Sequence, residues 1–118
     1  MKHDDLRTAR QMRDAGRYVR LLIADQSRAS FAADGVRHLA VLHLVQAIGE
    51  AASGTSDTFR GAHPDIPWAE MIAMRTLIVR RYDDANYDLA WHAASEGVER
   101  LLFALERIVP LNPESLML

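Results

Sequence analysis

The chain has 118 residues and a mass of 13.3 kDa, with 49% hydrophobic and 25% charged side chains and a formal net charge of −2. Such a length suits one compact domain over 1–118 and excludes two ordinary ones; the composition excludes a disordered polymer, and the charge excludes any general pull on polyanions, so a nucleic-acid site must be local. Zero cysteines exclude disulfides, thiolate metal sites and cysteine nucleophiles, and with no apolar run near the roughly 20 residues of a membrane span and no apolar leader after Met1-Lys2-His3-Asp4-Asp5, a cytoplasmic protein is expected.

Alanine and leucine number 32 against 17 for valine, isoleucine and threonine, a balance that favours helix over strand. The spacing predicts a first helix from about Asp4 to Gln26, with Leu6, Ala9, Met12, Gly16, Val19, Leu22 and Ile23 on one stripe and Arg7, Arg10, Asp14 and Arg17 opposite. Ser27 to Gly35 mixes small and polar residues and reads as a connector. Asp34 at its end is suited to cap a second helix reaching about Ala52. Val36, Leu39, Ala40, Leu42, Leu44, Val45, Ala47, Ile48, Ala51 and Ala52 leave that helix little polar face, which predicts a central position or a subunit interface.

Ser53-Gly54-Thr55-Ser56 ends the second helix, and the stretch to Pro67 reads as the longest loop. A third helix begins with Pro67 in its first turn and repeats Trp68, Met71, Ile72, Ile78, Val79 and Tyr82 at helical spacing. Arg75 falls inside that apolar stripe. After Asp83-Asp84-Ala85-Asn86, whose acids suit a helix start, a fourth helix runs from about Tyr87 to Val109 with Trp91, Ala94, Val98, Leu101, Leu102, Leu105 and Ile108 inward, stopped by Pro110 and Pro113. The fold class expected is all-α, an antiparallel four-helix bundle with room for a short extra helix.

Of the 14 basic residues 13 are arginine, which forks onto phosphate or carboxylate as lysine cannot, although GC-rich codon usage accounts for most of them equally well. Met74-Arg75-Thr76-Leu77-Ile78-Val79-Arg80-Arg81-Tyr82 concentrates three of them beside a tyrosine. An arginine within an apolar stripe must meet an internal carboxylate, for which Glu50 is placed, or a bound anion. Both readings stay open on spacing alone, with Arg80 and Arg81 either complementing a helix C-terminus or binding phosphate.

Four pieces, Ile48-Gly49-Glu50-Ala51-Ala52, Pro64-Asp65-Ile66-Pro67-Trp68, Met74-Arg75-x4-Arg80-Arg81-Tyr82 and Asp88-Leu89-Ala90-Trp91, stand in the order and spacing of the HepT-like HEPN proteins, which the chain resembles over essentially its whole length. That resemblance implies a HEPN-type helical bundle, a homodimer, and an RNA-directed toxin of the metal-independent endoribonuclease class, paired with a small nucleotidyltransferase antitoxin. The family signature resembles Arg-x4-His-x-Tyr. By position Arg75 matches its arginine and Tyr82 its tyrosine, which in such pairs accepts AMP; Arg80 occupies the histidine position and Thr76 that of a usual asparagine.

The resemblance therefore assigns Arg75 and Arg80 to catalysis, Arg75, Arg80 and Arg81 to phosphate binding, Tyr82 to modification and Glu50 to support, with no metal or cofactor. Arginine stays protonated and cannot take a proton from a ribose hydroxyl, so Arg80 predicts a weak or inactive nuclease that still clamps phosphate. The alternative is a catalytically degenerate member that binds a nucleotidyltransferase or a nucleotide without cleavage; a plain structural dimer is a third.

The histidines supply few other bases. His38 and His43 are five apart and on different faces; His43, among apolar neighbours, reads as a core or interface residue. His92 and Glu96, four apart, suit a helix-surface hydrogen bond rather than a metal site, while His3 and His63 fall in expected flexible segments. Should activity persist, His43 or His92 is the candidate base. Trp68, Tyr87 and Trp91 suit core packing better than base stacking, and neither a phosphate-cradling glycine loop nor a Gly-x-Ser-x-Gly turn is present.

Overall fold

The computed structural model describes residues 4–75 and 84–110, the side chains of 84–86 excepted. Among them the chain is all-α, as the composition predicts, in the order α1 (Asp5–Ile23), α2 (Arg28–Ala33), α3 (Gly35–Ser53), α4 (Asp57–Ala62), α5 (Trp68–Ala73), α6 (Asp84–His92), a π-helical turn (Ala93–Gly97) and α7 (Val98–Ile108). Helix α1 packs against α3 and α7, and α5 lies on α3. Met12, Val19, Phe31, Val41, Leu42, Val45, Ile48, Met71, Leu101, Leu102 and Leu105 are fully buried in one continuous core.

The long helices follow from spacing and caps. Asp4 caps α1 by accepting from the Arg7 backbone N–H (3.1 Å), and Asp34 caps α3 by accepting from that of Arg37 (3.0 Å). The predicted connector is instead helix α2, closed by a reciprocal capping box between Ser27 and Ser30. Likewise the expected long loop contains α4, capped by Ser56, whose backbone N–H and hydroxyl also donate to the Asp5 carboxylate (2.9 and 2.7 Å). Six residues span under two turns, too few to register as a period. The expected fourth helix begins at Asp84 and widens into the π turn before continuing; Asp83 lies outside the described residues.

One expectation about an inward face is corrected. Leu6, in the first turn of α1, is half exposed. Helix α3 presents Val36 (82% exposed) and Leu39 (46% exposed) to solvent, while His38, Val41, Leu42, Val45, Ile48, Gly49 and Ala52 face inward. Among the described residues Arg13 is the buried arginine, 5% exposed on the inner stripe of α1, where Nη1 donates to the Val109 carbonyl (3.0 Å) at the end of α7.

Candidate functional site

The described part of the arginine-rich segment is held at the end of α5. Trp68 donates from Nε1 to the His63 carbonyl (3.0 Å) and packs edge-on against Phe59, which fixes where α5 starts. His63 itself is the C-cap of α4 with its ring against Phe59, so the expectation of a flexible position there is corrected. From that start α5 buries Met71 and Met74, and the chain tightens to a 3₁₀ turn at Met74-Arg75.

Glycine at position 49 lets α5 come this close to α3. A Cβ on Gly49 would lie 2.6 Å from Arg75 Cγ, 2.9 Å from the Arg75 backbone nitrogen and 2.9 Å from the Met71 carbonyl oxygen. The stem of Arg75 therefore rests on the backbone of α3. Its Nε stands 3.7 Å from Glu50 Oε1, with the two side chains 45% and 60% exposed. The expectation of a guanidinium sunk among apolar side chains is corrected: the tightened last turn rotates Arg75 off the buried stripe, and Gly49 gives its stem a path to the surface. The Glu50 pairing exists, but as a wide, solvated pair that holds the cation loosely. Among the described residues no other partner engages this guanidinium, and most of its donors are open to an anion.

Arg80, Arg81 and Tyr82 lie outside the described residues, so the structure brings together only Arg75 and Glu50 of the site residues predicted from sequence.

On another side of Met74 a groove of about 150 Å³ is lined by Glu70, Ala73, Met74, Leu89, His92 and Ala93. At its rim His92 Nδ1 contacts Glu96 Oε2, the helix-surface pair expected from their spacing. The groove is shaped by the π turn: a Cβ on Gly97 would lie 3.1 Å from both Glu70 Oε1 and Met74 Cε, so this turn seats directly on α5. Glu70 also binds Arg100 across the helices, and its carboxylate raises the Arg100 pKa above the usual guanidinium value.

Among the remaining candidates, His43 is exposed rather than in the core. His38, by contrast, is buried and stacked on Tyr87 (4.1 Å between ring centroids), edge-on to Phe31, which in turn meets Trp91. Tyr87 and Trp91 thus pack internally, as expected. Sequence reasoning missed His38 and Arg13 as inner residues, although each keeps helical step with buried neighbours, His38 with Val41, Leu42 and Val45, and Arg13 with Ala9 and Gly16. No group of three or more metal-ligating side chains occurs among the described residues, and no helix there is long and apolar enough to cross a membrane.

A family model described as Ribonuclease HepT-like matches residues 6–108. The chain is similar to "Putative RNase MJ1380" of Methanocaldococcus jannaschii, 32% identical over 52% of this chain and 57% of that protein. It is also similar to "Probable ribonuclease HepT" of Thermococcus cleftensis, 30% identical over 66% of this chain and 71% of the relative. A second M. jannaschii protein, "Putative RNase MJ0127", is 26% identical over 72% of this chain and 70% of its own length. No solved structure matches.

Proposed function

The chain belongs to the Ribonuclease HepT-like family, and from that membership we propose that it is an RNA-directed toxin, a metal-independent endoribonuclease of the HEPN class. Arg75 carries the reading. It is the motif arginine, it lies at the surface beside Gly49 and Glu50, and its guanidinium is open to a phosphodiester. Its role is to neutralise the charge that gathers on the phosphoryl oxygens as the RNA is cut, a task that its exposure serves. Arg80 and Arg81, five and six positions on, add cations to the same segment.

The assembly proposed is a homodimer, which pools Arg75 and Arg80 from two chains and so builds locally the positive field that a net charge of −2 denies. Exposed Val36 and Leu39 on α3 support a second copy as the occupant of that face. The proposed partner is a small nucleotidyltransferase antitoxin, with Tyr82 as the residue that accepts AMP.

Expression in cells tests the toxin, and purified protein incubated with RNA in a chelator tests the nuclease. Growth arrest and chelator-resistant cleavage, both lost in Arg75→Ala, are expected. One observation favours the second reading, a degenerate member that binds its nucleotidyltransferase without cutting: Arg80 stands where the motif has histidine. Cleavage confined to Arg80→His would establish that reading for the native chain.

A further inference from the structure

We propose that His92 and Glu96 form the proton-transfer dyad of this chain, with His92 the general base that the arginine at position 80 cannot be. The inference rests on the ribonuclease reading above.

Geometry supports it first. His92 ends α6 and directs Nδ1 at the Glu96 carboxylate one turn on. A carboxylate on Nδ1 keeps the proton there, orients the ring and leaves Nε2 as the acceptor, the division of labour that a histidine base requires. Both side chains are 58% exposed, so Nε2 is reachable by a polymer that cannot enter a closed cavity.

Location is the second support. His92 lines a groove with Glu70, Ala73 and Met74 at the end of α5, the helix that leads into the arginine-rich segment. The groove is held in shape by the π turn, which begins immediately after His92 and packs through Gly97 against Glu70 and Met74. One-turn π-helical insertions are frequent at functional sites because the extra residue re-aims the side chains around it. Among the described residues Glu70 binds Arg100, whose charge Glu96 also stabilises, and Asp88, one turn before His92, binds Arg28. Glu96 is thus the carboxylate that meets the ring.

The chemistry closes without a metal. Nε2 takes the proton of a ribose 2′-hydroxyl; the 2′-oxygen forms a bond to phosphorus; the bond from phosphorus to the 5′-oxygen breaks, and its electron pair stays on that oxygen. The imidazolium proton passes to the departing oxygen, directly or through water. The products are a 2′,3′-cyclic phosphate and a 5′-hydroxyl end, and the dyad returns to its starting state. Glu96 acts as a positioning residue, through the ring it orients.

The test uses the full-length protein, a short single-stranded RNA and a chelator, with circular dichroism to confirm that each variant is folded. His92→Ala is expected to lower kcat by about 10²- to 10⁴-fold, the range for loss of a general base, with RNA affinity unchanged and part of the rate restored by added imidazole. Glu96→Gln is expected to lower kcat while leaving KM in place. A His92→Ala protein that cuts at the native rate overturns the dyad and leaves the ribonuclease reading intact, as does loss of cleavage in His43→Gln with His92→Ala unaffected. Cleavage by Arg80→His from an inert native chain also overturns the dyad alone. Native and Arg80→His proteins that are both folded and both inert overturn the ribonuclease reading beneath it.

Discussion

Gly49 has no side chain, and the space a side chain would need is filled by the backbone of Arg75 and the carbonyl of Met71. A methyl group there cannot be absorbed by rotating a flexible side chain, so α5 must move as a whole. Gly49→Ala is expected to cost about 1–3 kcal/mol, the usual penalty for overpacking, read as a lower denaturant midpoint. It is also expected to weaken RNA binding through displacement of Arg75. Gly49→Ala and Arg75→Ala are separated by stability: removing a half-exposed guanidinium from a 3.7 Å pair leaves the midpoint nearly unchanged. At this scale the sequence exposes Arg75 and Glu50 as a pair but not the geometry between them. The apolar stripe places Arg75 inward for as long as the helix keeps its pitch, and the tightening at Met74-Arg75 has no single-residue signature.

The short elements depend on their caps, and Asp34 does two jobs at one junction, closing α2 and opening α3. The Arg37 backbone N–H, and then its guanidinium, lower the Asp34 pKa from the ordinary carboxylate value. A carboxylate depressed in the folded state stabilises it above the unfolded pKa and loses that contribution as pH falls through the folded value. Acidification through and below the ordinary carboxylate range is therefore expected to lower the thermal midpoint. Asparagine caps a helix about as well but does not titrate, so Asp34→Asn is expected to match the native protein near neutrality at the backbone cap and to show a shallower decline in acid, measured by thermal melts across pH. The long helices were legible because three or more turns repeat a stripe. Helices α2 and α4 announced themselves only through serines at positions 27 and 56, cues that resemble ordinary loop composition. The π turn was invisible because one extra residue leaves apolar side chains inward on both sides of it.

Across the whole molecule, α3 is apolar on more faces than one chain covers. Its inner side meets α1 and α5, and its outer side offers Val36 and Leu39 to water. That surplus, legible in the sequence as a helix without a polar face, is what a second copy would cover. Sedimentation or light scattering is expected to give twice 13.3 kDa, and the double variant Val36→Glu, Leu39→Glu is expected to give the single-chain mass without loss of helix content, since both positions are exposed in the isolated chain. The all-α character was readable from composition and spacing, but the helix count was not: four were expected where seven and a π turn are described. Nor were the ties of the bundle: Arg20 reaches Glu99 in a bidentate contact (2.9 and 3.1 Å), and Arg28 reaches Asp88, joining residues far apart in the chain that no local pattern links.

The buried guanidinium of Arg13, paired with Asp14 (2.9 Å) and anchored to the carbonyls of Val109 and Pro110 (3.0 and 3.4 Å), couples the first helix to the end of the last. These carbonyls stand 96 and 97 positions further along the chain, and a cation enclosed without its acceptors is unfavourable. Closing the core around α1 therefore favours a docked end of α7, and the two are expected to gain protection from amide exchange together.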